Sequence, residues 1–277
     1  MEQKRANNYF EGTRTFADDM AATPNTLMEL LSLYGQDSSA LVREFTCELY
    51  AFLHEKTTDN QIKQAVIAHL GTALSDSIQD VRATAAAALN EIPAGEFSDK
   101  AKRLIIESFS AYGPLDDEQV LLAGYLHLTE LTDILQQVKN DPGQDNGVRW
   151  RCYLALARMD DEPSLDFILA AVRKRGVNDR VVYNDFPGLV YTRQRKAFDY
   201  LIKELFSDEQ KCHSPNPSIE REMVCGYRIM EMLAPVIKDF PLNVTAAGTV
   251  NTKNYDKALE KARKWLKQHE TDYEILI

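Results

Sequence analysis

A short motif recurs along the chain at near-constant spacing, and it constrains the fold more than any other feature of the sequence. Its copies begin at Val42, Val81, Val120 and Val148, and an arginine follows the valine in all but the third copy. The valines are 39, 39 and 28 residues apart. Self-similarity at such a period is typical of repeat proteins, in which one supersecondary unit stacks on the next.

The residues around each copy predict a helix. An aspartate comes shortly before each of the valines, and an apolar residue follows each valine after eight positions. In the clearest copy, Asp76–Ile92, apolar residues recur at intervals of three and four, Asp76 is expected to cap the helix, and Pro93 is expected to end it. Partner helices are predicted at Ile62–Leu74, Lys100–Tyr112, Leu131–Lys139 and Leu165–Arg175.

The segments DSIQDVRATAAAALNEI and DNGVRWRCYLALARM resemble the second helix of HEAT repeats, particularly the short bacterial type. In that family the Asp and Arg of neighbouring layers form a ladder of hydrogen bonds and charge pairs, while Val, Ala and Leu pack inside. The resemblance implies these places for Asp76, Val81, Arg82, Ala85 and Leu89. It also implies an all-α, armadillo-type fold, a right-handed α-α superhelix of about five to six helix pairs.

The repeat also predicts the domain organisation. Residues 1–22 are a polar N-terminal segment, and residues 23–277 are expected to form a single HEAT-like solenoid domain that is irregular after about residue 176. We expect a helix from Thr26 to Tyr34 to close one end and a helix from Tyr255 to Lys267 to close the other. Residues 176–190 break the pattern, and they are either a packed connector or a loop that contacts a partner.

Charge is unevenly distributed. Residues 1–148 carry 11 Lys/Arg against 23 Asp/Glu, whereas residues 149–203 carry 11 against 7. An acidic first half argues against general binding to a phosphate backbone, which needs many cations on one face. The pattern is either an ordinary charged helix surface or an acidic face for a basic partner, beside a locally basic middle.

No catalytic, cofactor or metal motif occurs in the sequence. It contains no Gly-rich phosphate loop, nucleophile-elbow turn or calcium loop, and its five histidines are scattered. His127 is interpreted as a core histidine on the inner face of a repeat. The four cysteines show neither zinc spacing nor the density of a disulfide scaffold. Cys212 beside His213 is half of a metal site at most, so we predict no metal, no cofactor and no enzymatic activity.

These observations predict a non-enzymatic scaffold or adaptor that binds a protein or peptide on its surface. We expect a monomer that binds no membrane. Without an apolar run in the first thirty residues, we expect neither a signal peptide nor a transmembrane helix, and hence a cytoplasmic protein. The candidate partner-binding residues are Arg149, Arg151, Arg173, Arg175, Tyr183, Phe186, Tyr191, Arg193, Arg195 and Lys196.

Two other functions stay open. Some HEAT-like proteins are DNA glycosylases, so the basic segment 149–196 is an alternative nucleic-acid surface, with Trp150 or Tyr153 available for stacking. We regard nucleic acid as the less favoured partner, because the cations would have to converge on one face. HEAT-like repeats also occur in pigment-attaching lyases, although only the repeats themselves point to that function.

Overall fold

The computed structural model of the chain describes residues 23–110, 115–213, 222–245 and 248–276, and in these ranges the protein is predominantly helical. The predicted segment 1–22 lies outside the described residues. The helices of the first half are α1 Pro24–Tyr34, α2 Ala40–Lys56, α3 Asn60–Ala73, α4 Gln79–Asn90, α5 Asp99–Ser108, α6 Asp117–Tyr125, α7 Thr132–Asn140 and α8 Asn146–Arg158. Short 3-10 turns occupy Ala94–Glu96 and Thr129–Leu131.

The second half is less regular. Its helices are α9 Glu162–Arg175, α10 Asp179–Asn184, α11 Phe186–Thr192, α12 Arg195–Leu205, α13 Gly226–Leu233 and α14 Tyr255–Gln268. Two short strands, β1 Gln210–His213 and β2 Glu222–Val224, pair antiparallel between α12 and α13. The chain divides into two compact units, residues 1–155 and 156–277, with the boundary inside α8.

The first unit is built from two layers of helices. Helices α1, α3 and α5 pack successively on one another, and so do α2, α4 and α6, while α2, α3 and α4 also contact their neighbours in sequence. The core between the layers contains fully buried aliphatic side chains such as Leu53, Leu70 and Leu89. Small residues at Ala85 and Ala86, both fully buried, let α4 approach its neighbours closely.

An aspartate carboxylate bonds a nearby amide at or just before the start of several helices of this unit. Asp37 and Asp76 close a turn before the helix in this way, whereas Asp116 caps α6 itself. The carboxylates of Asp37, Asp76, Asp116 and Asp145 each accept a hydrogen bond from the amide two residues further on, at 2.7–2.9 Å. The prediction that Asp76 caps a helix starting at that residue is therefore wrong. Its carboxylate closes a turn instead, and α4 begins three residues later at Gln79.

Arginines connect the turns to the helices. Arg43 and Arg82 each donate to the carbonyl of the aspartate six residues earlier, at 2.7 and 2.9 Å. Arg43 also pairs with the carboxylate of Asp76 in the next repeat. These contacts join the turn before α2 to the turn before α4. Membership of the HEAT family stays a prediction.

Residues 176–190, which the sequence left open, form α10 and most of α11 rather than an extended loop. Val181, Val182 and Phe186 are at most 2% exposed, which agrees with a packed connector. Tyr183 on the same segment is 45% exposed. The segment therefore contributes to the core of the second unit on one side and to its surface on the other.

Cys212 and Cys225 form a disulfide that ties β1 to the residue before α13. This bond is not predicted from the sequence, since cysteine spacing alone does not reveal which thiols meet. Cys212 is therefore not available as a thiolate ligand beside His213. Among the described residues no helix is both long and apolar enough to cross a membrane.

Candidate partner-binding groove

A groove of about 660 Å³ lies in the first unit beside α2 and the carboxyl end of α4. Its third wall is the segment from Glu91 to Glu96, which includes the 3-10 turn. These elements meet because α2 and α4 pack side by side. The groove volume is within the range of ligand and peptide pockets.

The floor of the groove is apolar. Spacings of three and four residues place Phe45, Leu49 and Phe52 on one face of α2, and Ile92 and Pro93 close the far side. Phe45 and Ile92 are almost fully buried, whereas Leu49 and Phe52 are half-buried. The floor therefore offers aromatic and aliphatic surface to an incoming side chain.

Four glutamates give the groove an acidic rim. Glu48, Glu55, Glu91 and Glu96 line it together with one lysine, Lys63, which leaves a formal charge of −3 among the described lining residues. Glu91 follows the last residue of α4, so the negative end of that helix dipole adds to the same field.

Glu96 is held by side chains from two helices. Lys63 Nζ lies 3.1 Å from Oε1, and His54 Nε2 lies 3.0 Å from Oε2. Gln64 donates from Nε2 to the Glu96 main-chain carbonyl at 2.6 Å. Burial on its own raises the pKa of the Glu96 carboxyl, but the hydrogen bonds and charges of Lys63 and His54 outweigh it and hold the pKa below its ordinary value. Glu96 therefore stays ionised and fixes the turn wall to α2 and α3.

His54 is the buried titratable group of the groove. Its residue is 7% exposed, and burial lowers its pKa below the ordinary value, although the charge of Glu96 acts in the opposite direction. At neutral pH the imidazole is uncharged. Because an ionised Glu96 only accepts, Nε2 must carry the hydrogen of that bond.

Comparison with known proteins does not indicate what the groove binds. No family model, curated protein or solved structure matches this chain. What the groove binds must therefore be argued from its own shape and charge. Within the described residues no cluster of three or more potential metal ligands occurs.

Two of the candidate residues predicted from the sequence lie in the first unit, outside the groove. Arg149 donates from Nε to the Lys139 carbonyl at 3.0 Å, and Arg151 lies 3.6 Å from a carboxylate oxygen of Asp117. Both cations are half-buried and engaged with their own unit. Trp150, between them, is also half-buried.

The aromatic candidates of the second unit differ in accessibility. Phe186 is fully buried with its ring edge-on to Tyr200 at 6.0 Å, so its prediction as a partner contact is wrong. Tyr183 is exposed, with the Arg228 guanidinium 5.3 Å from its ring. The Tyr191 ring is covered by the guanidinium of Arg158 at 4.8 Å.

The cationic candidates of the second unit also have internal partners. Arg175 pairs with Asp185, Lys196 with Asp166, and the Arg173 guanidinium lies 5.4 Å from a tyrosine ring. Arg193, in the left-handed conformation at φ 56°, donates to the Val190 carbonyl at 2.7 Å.

Arg195 is also engaged within the second unit. It bonds Asp199 at 3.0 Å and the carbonyls of Tyr273 and Glu270 at 3.3 and 2.5 Å, and it stacks on the Tyr273 ring at 3.6 Å. The cationic candidates of the second unit therefore take part in several separate structural contacts.

The groove could not be predicted from the sequence for two reasons. Its walls come from segments 40 residues apart, and the apolar face formed by Phe45, Leu49 and Phe52 has the same spacing as a core face. His127, which we interpreted as a core histidine, is exposed just after the end of α6 with φ at 53°. The histidine that is buried beside a carboxylate is His54 instead.

Proposed function

We propose that the protein is a non-enzymatic interaction module, and that the groove of its first unit binds a basic, amphipathic segment of a partner protein. The observation that carries the proposal is the combination of an apolar floor with a rim of formal charge −3. A partner segment that places leucine-like side chains on Leu49 and Phe52 and arginine or lysine beside Glu55 and Glu91 satisfies both features.

The two-layer stacking of the first unit supports a solenoid. We propose that α1 to α8 are HEAT-like repeats wound as a right-handed superhelix. Repeat units of this kind expose equivalent helices side by side, so grooves between repeats are a natural place to bind a peptide. The aspartate turns and the Arg43–Asp76 pair are the contacts that favour this family.

The internal partners of Arg175, Arg195 and Lys196 favour a protein ligand over the nucleic-acid alternative. A cation already paired with a carboxylate must exchange that pair for a phosphate, and it releases fewer counterions on binding. The acidic rim of the groove also repels a phosphate backbone. A cytoplasmic location is a further proposal, although disulfides such as Cys212–Cys225 are rarer there than in oxidising compartments.

A fluorescence-anisotropy titration tests the proposal. The probe is a fluorescein-labelled peptide of leucine and arginine arranged as an amphipathic helix, and the control peptide carries glutamate in place of arginine. We expect saturable binding of the basic peptide only, weakened at high salt because exposed charges are screened.

Charge-reversal variants locate the site. Glu91→Lys should reduce affinity at least about tenfold, while Glu260→Lys, on the exposed side of α14, should leave it unchanged. Circular dichroism confirms that both variants are folded. Failure of the basic peptide to bind, or equal affinity in the Glu91 variant, would refute the groove as the binding site.

A further inference from the structure

The groove contains a titratable group whose ordinary range lies just below neutral pH. His54 is in the last turn of α2, at the inner wall, with its imidazole hydrogen-bonded to Glu96. Burial lowers the pKa of two histidines, His54 and His69. His69 lines a separate cavity on the opposite face of α2.

Charged groups surround His54 from each element that forms the groove. Glu55 comes from α2 itself, Lys63 from α3, Glu91 from the end of α4, and Glu96 from the 3-10 turn. The Glu96 carboxylate already accepts hydrogen bonds from the Lys63 ammonium and from the imidazole. A proton on His54 therefore adds a second positive charge at a carboxylate that is partly neutralised, and the formal charge of the lining falls from −3 to −2.

We propose that His54 makes the groove pH-responsive, so that proton uptake by its imidazole weakens binding of the basic partner. The inference rests on the proposed function, since it concerns the same groove and the same partner chemistry. Its basis is geometric. The imidazole is part of the inner wall and lies within hydrogen-bond distance of the Glu96 carboxylate that fixes the turn. A partner cation bound at the rim is therefore close enough to repel a positive charge on the imidazole.

Linkage sets the direction of the effect. A bound cation disfavours a second cation nearby, so the occupied groove holds the His54 proton less tightly than the empty one. By reciprocity, protonation of His54 lowers the affinity for the partner by the same factor. One coupled proton changes affinity by at most about tenfold for each pH unit.

The pH window follows from the groups involved. Burial lowers the pKa of His54 below the ordinary histidine value of about 6.5, so the imidazole takes up its proton only below that pH. The hydrogen bonds of Glu96 keep that carboxylate ionised well below this range. Affinity should therefore be constant near pH 7.5 and decline as the pH falls below about 6.5, where His54 begins to take up its proton.

The test measures affinity for the leucine–arginine peptide from pH 7.5 to pH 5 at constant ionic strength, in the wild type and in His54→Gln. Glutamine has an uncharged N–H donor that reaches toward Glu96 but takes up no proton in this range. We expect a several-fold loss of affinity for the wild type and a flat profile for the variant. His69→Gln, the matched control outside the groove, should keep the wild-type profile.

A second measurement does not depend on any variant. Histidine proton NMR of the wild type should show that saturating peptide moves the titration of His54 to lower pH. No peptide binding at any pH would refute the proposed function itself. Binding with the same pH profile in His54→Gln, or an unmoved His54 titration, would refute the switch and leave the function standing.

Discussion

Arg43 donates two parallel hydrogen bonds to the carboxylate of Asp76, 33 residues further along the chain, from Nε to Oδ2 at 2.6 Å and from Nη2 to Oδ1 at 2.8 Å. A third bond, from Nη1, reaches the Asp37 carbonyl at 2.7 Å. The guanidinium thus connects the turns before α2 and α4, and both side chains of the pair are only 13–14% exposed. Bidentate geometry of this kind is the stronger form of ion pair.

Removing the guanidinium should destabilise the first unit. Burial on its own raises the pKa of the Asp76 carboxyl, but bonds from Arg43 and the Ile78 amide outweigh it and hold the pKa below its ordinary value. Arg43→Ala removes two hydrogen bonds to that carboxylate, so we expect a loss of about 2–3 kcal/mol in unfolding free energy. Urea denaturation measures the loss.

The double variant Arg43→Ala/Asp76→Ala provides the control for this prediction. If the pair interacts directly, the double variant should lose less stability than the sum of the two single variants. Additive losses would mean that each residue acts through its own separate contacts instead.

Stability should fall on mild acidification because of the buried histidines. Burial lowers the pKa of both His54 and His69, the former against the attraction of Glu96. The unfolded chain then binds more protons than the folded chain once the pH drops below about 6.5, so the unfolding free energy decreases there.

Urea midpoints at pH 7.5 and pH 5 check this direction, and His69→Gln should reduce the difference. The exposed His213, whose hydrogen bond with Asp179 raises its pKa, acts in the opposite sense and sets a limit on the net loss. A stability that rises toward pH 5 would show that this exposed pair outweighs the two buried imidazoles.

The number of free thiols in the denatured protein tests whether the Cys212–Cys225 disulfide forms. Cys47 and Cys152 are buried free thiols, and burial raises the pKa of each to about 12, so neither should react quickly in the folded protein. Denatured without reductant, the chain should show these two thiols, and after reduction all four of its cysteines. Four thiols before reduction would exclude the Cys212–Cys225 bond.

The bond should also stabilise the second unit. Its cysteines are 13 residues apart, and closing a loop of this size is worth about 3 kcal/mol. Cys212→Ser/Cys225→Ser should therefore unfold at a lower urea concentration by a comparable free energy. The oxidised wild type and the reduced wild type form the matched comparison.

The helices could be placed from the sequence because their apolar periodicity is strong, but their ends could not. Asp76 satisfies the pattern of an N-cap, and only the structure places its carboxylate on the amide of Ile78 in a turn before the helix. Helix α14 starts at the predicted residue, since Asn254 there does cap it through a bond to the Lys257 amide. Local side-chain bonding decides between these outcomes, and both residue types permit either.

The candidate site was harder to predict than the fold. Cationic residues of the segment 149–196 suggested a surface, but a sequence does not show that Arg175 meets Asp185 or that Lys196 meets Asp166. The groove depends on Glu96 reaching His54 across 42 residues, which is likewise a tertiary contact. The distribution of charged residues along the sequence therefore predicts the polar faces of helices better than it predicts a binding site.

A close backbone approach predicts one intolerant glycine in the second unit. A Cβ added at Gly226, the first residue of α13, would lie 3.0 Å from the Leu205 carbonyl oxygen and 3.2 Å from a Leu259 methyl carbon. The carbonyl belongs to the end of α12 and cannot swing away as a flexible side chain does. Gly226→Ala should therefore push α13 away from α12 and cost about 1–3 kcal/mol of unfolding free energy.

Gly95 supplies the matched substitution, because a Cβ there would meet nothing within 4 Å. Gly95→Ala should leave the urea midpoint nearly unchanged, or raise it slightly by restricting the unfolded chain. Equal urea midpoints for the two variants would mean that the contact with the Leu205 carbonyl does not limit the side chain at position 226. A loss confined to Gly226→Ala would establish that α12 and α13 pack too closely for any side chain at this position.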